Sequence, residues 1–213
     1  FLMIFGLIQW TTLFNLSIIE SGYANMNTFF LIAPPLFIIY ISAISMKSFS
    51  EEFKSGTIEI LLTKPISLIS IILSKYFAVN ILILISILST FIYPITIYFL
   101  GESIGNLDLG GIIGSYLGLI FTCFSFASIS LFSSSITKNQ VNALLLSIVL
   151  NFFIFYGFNL IGDLINISHL SIILQKLGSQ YHYDLISKGV IILSDVIYFI
   201  SISILFLYLT SLK

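Results

Sequence analysis

The chain has 213 residues, of which 58% are hydrophobic and only 8% are charged, and its formal net charge at pH 7 is −1. Soluble domains carry about 25% charged residues, so this composition excludes an ordinary soluble domain and indicates an integral membrane protein. The weakly negative charge argues against a nucleic-acid-binding protein, and the single cysteine cannot form an intrachain disulfide.

A helix needs about 20 apolar residues to cross a bilayer, and the sequence holds six apolar stretches of roughly that length. We predict all-α structure, a polytopic integral membrane protein with six transmembrane helices in a single domain over residues 1–213. The hydrophobic run begins at once with Phe1 and shows no signal-peptide features, so we expect an N-terminal cytoplasmic piece to be missing. The predicted spans are 1–19, 29–46, 76–93, 111–132, 141–161 and 196–212.

Proline and glycine mark special points within these spans. Pro34 and Pro35 predict a kink in the second span, and Pro94 predicts a break at the end of the third. Small residues at a spacing of three or four let helices approach closely, so we expect close packing along one side of the fourth span. The residues of that side are Gly111, Gly114 and Gly118.

Residues 47–65 form a polar segment between the second and third spans, which we call the coupling segment. Its charged residues would each cost roughly 2.5–3.5 kcal/mol at the bilayer centre, about 15–20 kcal/mol together, so the segment must lie in water. These residues are Lys47, Glu51, Glu52, Lys54, Glu59 and Lys64.

The distribution of lysines predicts the orientation of the chain. With six spans, the coupling segment, residues 133–140 and the C-terminus share one side of the membrane, and lysine-rich loops lie on the cytoplasmic side. We therefore predict that the coupling segment is cytoplasmic. The lysines on that side are Lys47, Lys54, Lys64, Lys75, Lys138 and Lys213.

The coupling segment has the pattern of two short helices. Ser48 followed by Glu51 is a capping-box pattern that predicts a helix starting near residue 49. Gly56 would end this helix, residues 57–63 would form a second one, and Pro65 would stop it. A solvated charged loop and a docking surface for a cytoplasmic partner are both compatible with this pattern.

The sequence SEEFKSGTIEILLTKPIS resembles the signature of ABC type-2 exporter permeases. In that family the equivalent segment is a coupling helix that binds a cytoplasmic ABC ATPase subunit, so the resemblance implies such a partner. Phe53 departs from the pattern, because the family usually has a basic residue there. The matching positions are Glu51, Glu52, Lys54, Gly56, Thr57, Glu59, Leu61, Leu62 and Pro65.

Three further blocks resemble the permease subunit of gliding-motility ABC transporters: FFLIAPPLF, GNLDLGGIIGSYLGL, and YHYDLISKGVI with SDVIYFIS. The resemblance implies an exporter subunit of the bacterial inner membrane, paired with a second copy or a paralogous membrane subunit. It also implies a cytoplasmic helix before the first span and short re-entrant helices before the sixth. A permease for lipid, polysaccharide or drug export, and a structural subunit of a motility complex, are the alternatives.

The sequence shows no pattern typical of an enzyme. It has no GxxxxGK[ST] phosphate loop, so the resemblance places ATP and Mg²⁺ on the partner ATPase and leaves this chain without a cofactor. It also shows no Ser/His/Asp set, and the predicted spans have no ionisable residue near their centres, which argues against a secondary transporter.

Residues 162–190 form the longest segment between spans and carry an apolar helical stripe, which predicts an extracytoplasmic amphipathic segment at the interface. Asp163, His169, His182 and Asp184 lack a recurrent metal-ligand spacing, so hydrogen bonding is favoured over metal binding. Tyr181, His182 and Tyr183 are expected at headgroup level. Three asparagines are candidates for interhelical hydrogen bonds or for a polar transport path: Asn80, Asn151 and Asn159.

Overall fold

A computed structural model describes residues 2–10, 26–63, 65–100, 107–165 and 168–213. All regular structure in these residues is helical, which confirms the all-α class for the described part of the chain. The helices are α1 (Leu2–Trp10), α2 (Asn27–Ser45), α3 (Ser50–Ser55), α4 (Thr57–Leu62), α5 (Leu68–Ser89), α6 (Ile92–Leu100), α7 (Leu109–Ile136), α8 (Gln140–Phe152), a π turn (Phe153–Gly157), α9 (Phe158–Leu164), α10 (Ser168–Leu177), α11 (Ser179–Ser187) and α12 (Leu193–Ser211).

Five described helical stretches are long and apolar enough to cross a membrane. They agree with the second to sixth predicted spans and confirm a multi-pass membrane protein. Most of the first predicted span, residues 1–19, lies outside the described residues, so a transmembrane helix there stays a prediction. The five stretches are Asn27–Ser55, Leu68–Leu100, Leu109–Ile136, Gln140–Leu164 and Leu193–Ser211.

Helix α7 is the centre of the bundle and contacts α2, α5, α8, α11 and α12. Its Leu119 and Phe126 side chains are fully buried. Close packing at Gly114 and Gly118 is confirmed, and the neighbour is α11. A Cβ at Gly114 would lie 2.6 Å from the carbonyl oxygen of Ile186, a separation that atoms cannot adopt without a backbone shift. Glycine is therefore what allows α11 to pack directly on α7.

The third span breaks a few residues earlier than predicted. Helix α5 ends at Ser89, a turn follows, and Pro94 lies within the first turn of α6. Proline has no N–H to donate to the carbonyl four residues before it, which is that of Thr90. That carbonyl accepts instead from the Tyr93 N–H at 3.0 Å and the Tyr116 hydroxyl at 3.2 Å. The Pro34 and Pro35 pair lies inside α2, which continues through both residues.

The predicted loop over residues 133–140 was too long at its start. Residues 133–136 belong to α7, because the hydroxyls of Ser133 and Ser135 donate to carbonyls of their own helix and need no solvent. Residues 162–190 include the end of α9 and two further short helices, α10 and α11. Of these, α11 lies inside the bundle, with Tyr183 and Ile186 buried against α7.

Candidate functional site

The coupling segment forms two short helices joined at Gly56. This residue has a φ of +73°, the left-handed conformation that glycine adopts without strain, and so α3 ends there as predicted. The predicted capping box was wrong. Phe49, not Ser48, is the N-cap residue, and its side chain makes no capping bond.

The N-terminus of α3 is capped from another helix. Ser134, near the end of α7, accepts hydrogen bonds from the backbone N–H groups of Phe49 at 3.0 Å and Ser50 at 3.1 Å. Its hydroxyl donates in turn to the Met46 carbonyl at 3.0 Å. One buried serine therefore fixes the start of α3 to the central helix. No local pattern in the sequence predicts this contact, since Phe49 and Ser134 are about 85 positions apart.

Lys75 of α5 fixes the inner side of α3. Its ammonium group lies 2.5 Å from the Glu52 carboxylate, donates to the Ser48 carbonyl, and stands 4.2 Å from the centre of the Phe49 ring. Only 18% of the Lys75 side chain and 29% of the Glu52 side chain are exposed, so solvent screens this ion pair less than a surface pair. Glu52 therefore binds inward to α5. We call Lys75 and Ser134, with the α3 groups they bind, the α3 clamp.

The outer side of the coupling segment is exposed. Among the predicted site residues, those with exposed side chains or backbone are Glu51, Lys54, Gly56, Thr57, Glu59 and Pro65. Leu61 and Leu62 lie on α4, but their side chains are outside the described residues. The short helical hairpin formed by α3 and α4 thus exposes the carboxylates of Glu51 and Glu59 and the ammonium group of Lys54.

The apolar underside of the hairpin meets the C-terminal end of α12. Phe53, Ile58, Thr210 and Lys213 line a narrow cavity of about 70 Å³ between them. Phe53, which departs from the basic residue usual in the resembling family, is half-buried and packs against the core. The C-terminus therefore lies at the same end of the bundle as the coupling segment.

Asn151 belongs to a buried hydrogen-bond cluster that joins three helices. Its amide donates to the hydroxyls of Ser130 at 3.0 Å and Ser147 at 3.3 Å, and Ser147 is bonded to Ser42 at 2.6 Å. Helices α2, α7 and α8 are thus linked, as expected for an interhelical role. Asn159 donates to Gln180 at 2.9 Å.

His182 is fully engaged by hydrogen bonds. Its Nδ1 lies 2.7 Å from Asp195 Oδ1, its Nε2 lies 2.9 Å from the Lys176 carbonyl, and its ring stacks on Tyr198 at 3.9 Å. No metal-ligating group of three or more side chains occurs among the described residues. Tyr183 is buried, and its hydroxyl donates to the Phe30 carbonyl at 2.8 Å, so its ring packs inside the protein.

Helices of membrane-spanning length around α7, with a polar helical hairpin at one end, are compatible with a membrane transport subunit. The comparison with known families agrees, because the model of the family described as ABC-2 family transporter protein matches residues 9–210. The chain belongs to this family, and so it is a membrane permease subunit of an ABC transporter, a type of subunit that associates with an ABC ATPase. No curated protein and no solved structure matches the chain.

Proposed function

We propose that the exposed side of α3 and α4 is the surface on which a cytoplasmic ABC ATPase docks. The observation that carries this proposal is the α3 clamp. A charged hairpin bound through both α5 and α7 can transmit a push from a partner to the transmembrane helices, whereas a freely solvated loop cannot. ATP and Mg²⁺ would then be held by the partner, and this chain would change conformation without hydrolysing nucleotide.

The cytoplasmic location of this surface is part of the proposal. It is supported by the position of Lys213, which lines the same small cavity as Ile58 and so lies at the same end of the bundle as the coupling segment. Lysine-rich ends of this kind favour the cytoplasmic side. The membrane would be the bacterial inner membrane.

We further propose that the chain serves an ATP-driven exporter of the gliding-motility type, together with a second copy or a paralogous membrane subunit. The resemblance of its FFLIAPPLF, GNLDLG and YHYDLISKGVI blocks supports this assignment. The described residues of these blocks lie on α2, at the start of α7, and on and just after α11. Helices α2 and α11 both contact α7, and the Tyr183 hydroxyl donates to the Phe30 carbonyl.

The test is quantitative co-purification of the chain with a P-loop ATPase, beside a Glu59→Lys variant. Glu59 is exposed on α4, so charge reversal should remove the ATPase without affecting membrane insertion. Asp163→Lys is the matched control, because it makes the same charge change on an exposed residue of α9. Equal recovery of the ATPase with all three proteins would refute docking through the coupling segment.

A further inference from the structure

A large cavity lies at the end of the bundle opposite the coupling segment. Its volume is about 820 Å³, and it is bounded by the start of α2, the start of α7, the π turn and α11. Residues of α11 also line a second cavity of about 440 Å³ beside it, which shares Tyr156, Gln180, Asp184 and Lys188 with the first. Together the two spaces are large enough for a ligand headgroup and part of an apolar chain.

The charged residues that line the cavity are Asp108, Asp184 and Lys188. Asp108 caps α7 by accepting from the Gly111 N–H at 3.0 Å, whereas Asp184 and Lys188 form a charged edge on α11 and at its end. Side chains four residues apart on a helix lie about 5–6 Å from each other at Cβ, so these opposite charges are neighbours. They do not neutralise each other directly, because the ion pairs among the described residues are Lys75 with Glu52 and His182 with Asp195. Both charges are therefore available to a ligand.

The protein around Asp184 removes part of the water from its carboxylate, although the residue keeps contact with solvent. This desolvation raises the pKa of the Asp184 carboxyl above its ordinary value, against the opposing effect of the Lys188 charge. A partly desolvated carboxylate gains more from a cationic ligand than one in open water.

Part of the cavity wall is apolar. This part is formed by Phe30, Leu31 and Pro34 of α2 and by Phe155 of the π turn. Leu31 is 68% exposed on a membrane-spanning helix, so this wall continues onto the surface that faces lipid. The π turn widens the helix where Phe155 and Tyr156 reach the cavity, and such turns are frequent at functional sites.

We propose that this cavity binds a phospholipid with a zwitterionic phosphate–ammonium headgroup. Its ammonium group would lie at Asp184 and its phosphate at Lys188, one helical turn away, which is comparable to their separation in a phosphoethanolamine group. The acyl chain would follow the apolar wall past Leu31 into the bilayer. An anionic lipid without an amine would satisfy Lys188 and leave Asp184 unpaired.

The test is native mass spectrometry of the full chain released from nanodiscs that contain equal amounts of phosphatidylethanolamine and phosphatidylglycerol. We expect the protein to retain phosphatidylethanolamine about tenfold over phosphatidylglycerol, equivalent to about 1.4 kcal/mol. Asp184→Asn should abolish this preference, while exchange of the two charges (Asp184→Lys with Lys188→Asp) should restore it, because a zwitterion can bind in either direction. Glu51→Gln, at the other end of the bundle, is the control and should behave like the unmodified protein.

Retention of phosphatidylethanolamine by Asp184→Asn, or no preference in the unmodified protein, would overturn the proposal. So would binding of free phosphoethanolamine, measured by calorimetry, without retention of the lipid, since the ligand would then be a soluble zwitterion. This proposal goes beyond ATPase docking, and neither readout involves the ATPase. Its failure can therefore be distinguished from failure of the proposed function.

Discussion

Replacement of Lys75 by Met tests whether the α3 clamp holds the coupling segment against the bundle. The substitution keeps an unbranched apolar side chain of similar length but removes the ammonium group from Glu52, the Ser48 carbonyl and the Phe49 ring. Loss of a charged hydrogen-bond partner costs about 1.5–3 kcal/mol, and loss of a cation–π contact about 0.5–1 kcal/mol. These losses share one group and do not simply add, so we expect α3 to lose about 2 kcal/mol of local stability.

A loss of about 2 kcal/mol corresponds to roughly a thirtyfold increase in the population of the detached hairpin. Hydrogen exchange followed by mass spectrometry measures this population directly in the detergent-solubilised protein. We expect faster exchange of the amides of residues 50–55, with little change in α8. Lys54→Met is the matched control, because Lys54 is exposed on the same helix. Unchanged protection of α3 in Lys75→Met would refute the clamp.

Two other predictions concern α11. Gly114→Ala should lower the midpoint of thermal unfolding, because the new Cβ meets the Ile186 carbonyl oxygen at 2.6 Å and overpacking costs about 1–3 kcal/mol. Gly110→Ala is the control: its Cβ would lie 3.5 Å from Asp108 Oδ1, so the midpoint should stay unchanged or rise. Retention of phosphatidylethanolamine should fall on acidification, and at a higher pH than for an ordinary aspartate, because the folded-state pKa of Asp184 is raised above 3.8 by desolvation. Protonation removes the charge that binds the ammonium group, so a native mass spectrometry series should show this loss in the unmodified protein and a flat profile in Asp184→Asn.

Features that depend on hydropathy and on glycine could be predicted from the sequence. The positions of the second to sixth spans follow from apolar length, and the end of α3 at Gly56 follows from a residue that tolerates positive φ. The close approach at Gly114 was also predictable as packing, although its partner was not. These signals are local in the chain. A span depends on the free energy of placing one apolar stretch in lipid, and the end of α3 depends on the backbone conformation of one residue.

Features that depend on distant contacts could not be predicted. The cap on α3 comes from Ser134, which looked like part of a polar loop, and the burial of Tyr183 depends on a carbonyl about 150 positions away. From the sequence, Lys75 was only one of the lysines that predict the orientation, but the fold supplies Glu52 as its partner. In each case the sequence shows a polar residue near an apolar run but does not show its hydrogen-bond or ion-pair partner, because that partner is defined only once the helices pack.

Site-specific crosslinking tests ATPase docking most directly. The only cysteine, Cys123, is fully buried, so a cysteine introduced at Glu59 would be the accessible thiol for a thiol-reactive photocrosslinker in native membranes. The proposal predicts a crosslinked product between Glu59→Cys and a P-loop ATPase, identified by mass spectrometry, and none from Asp163→Cys. Labelling of the Glu59→Cys protein without any crosslink to an ATPase would contradict docking on the coupling segment.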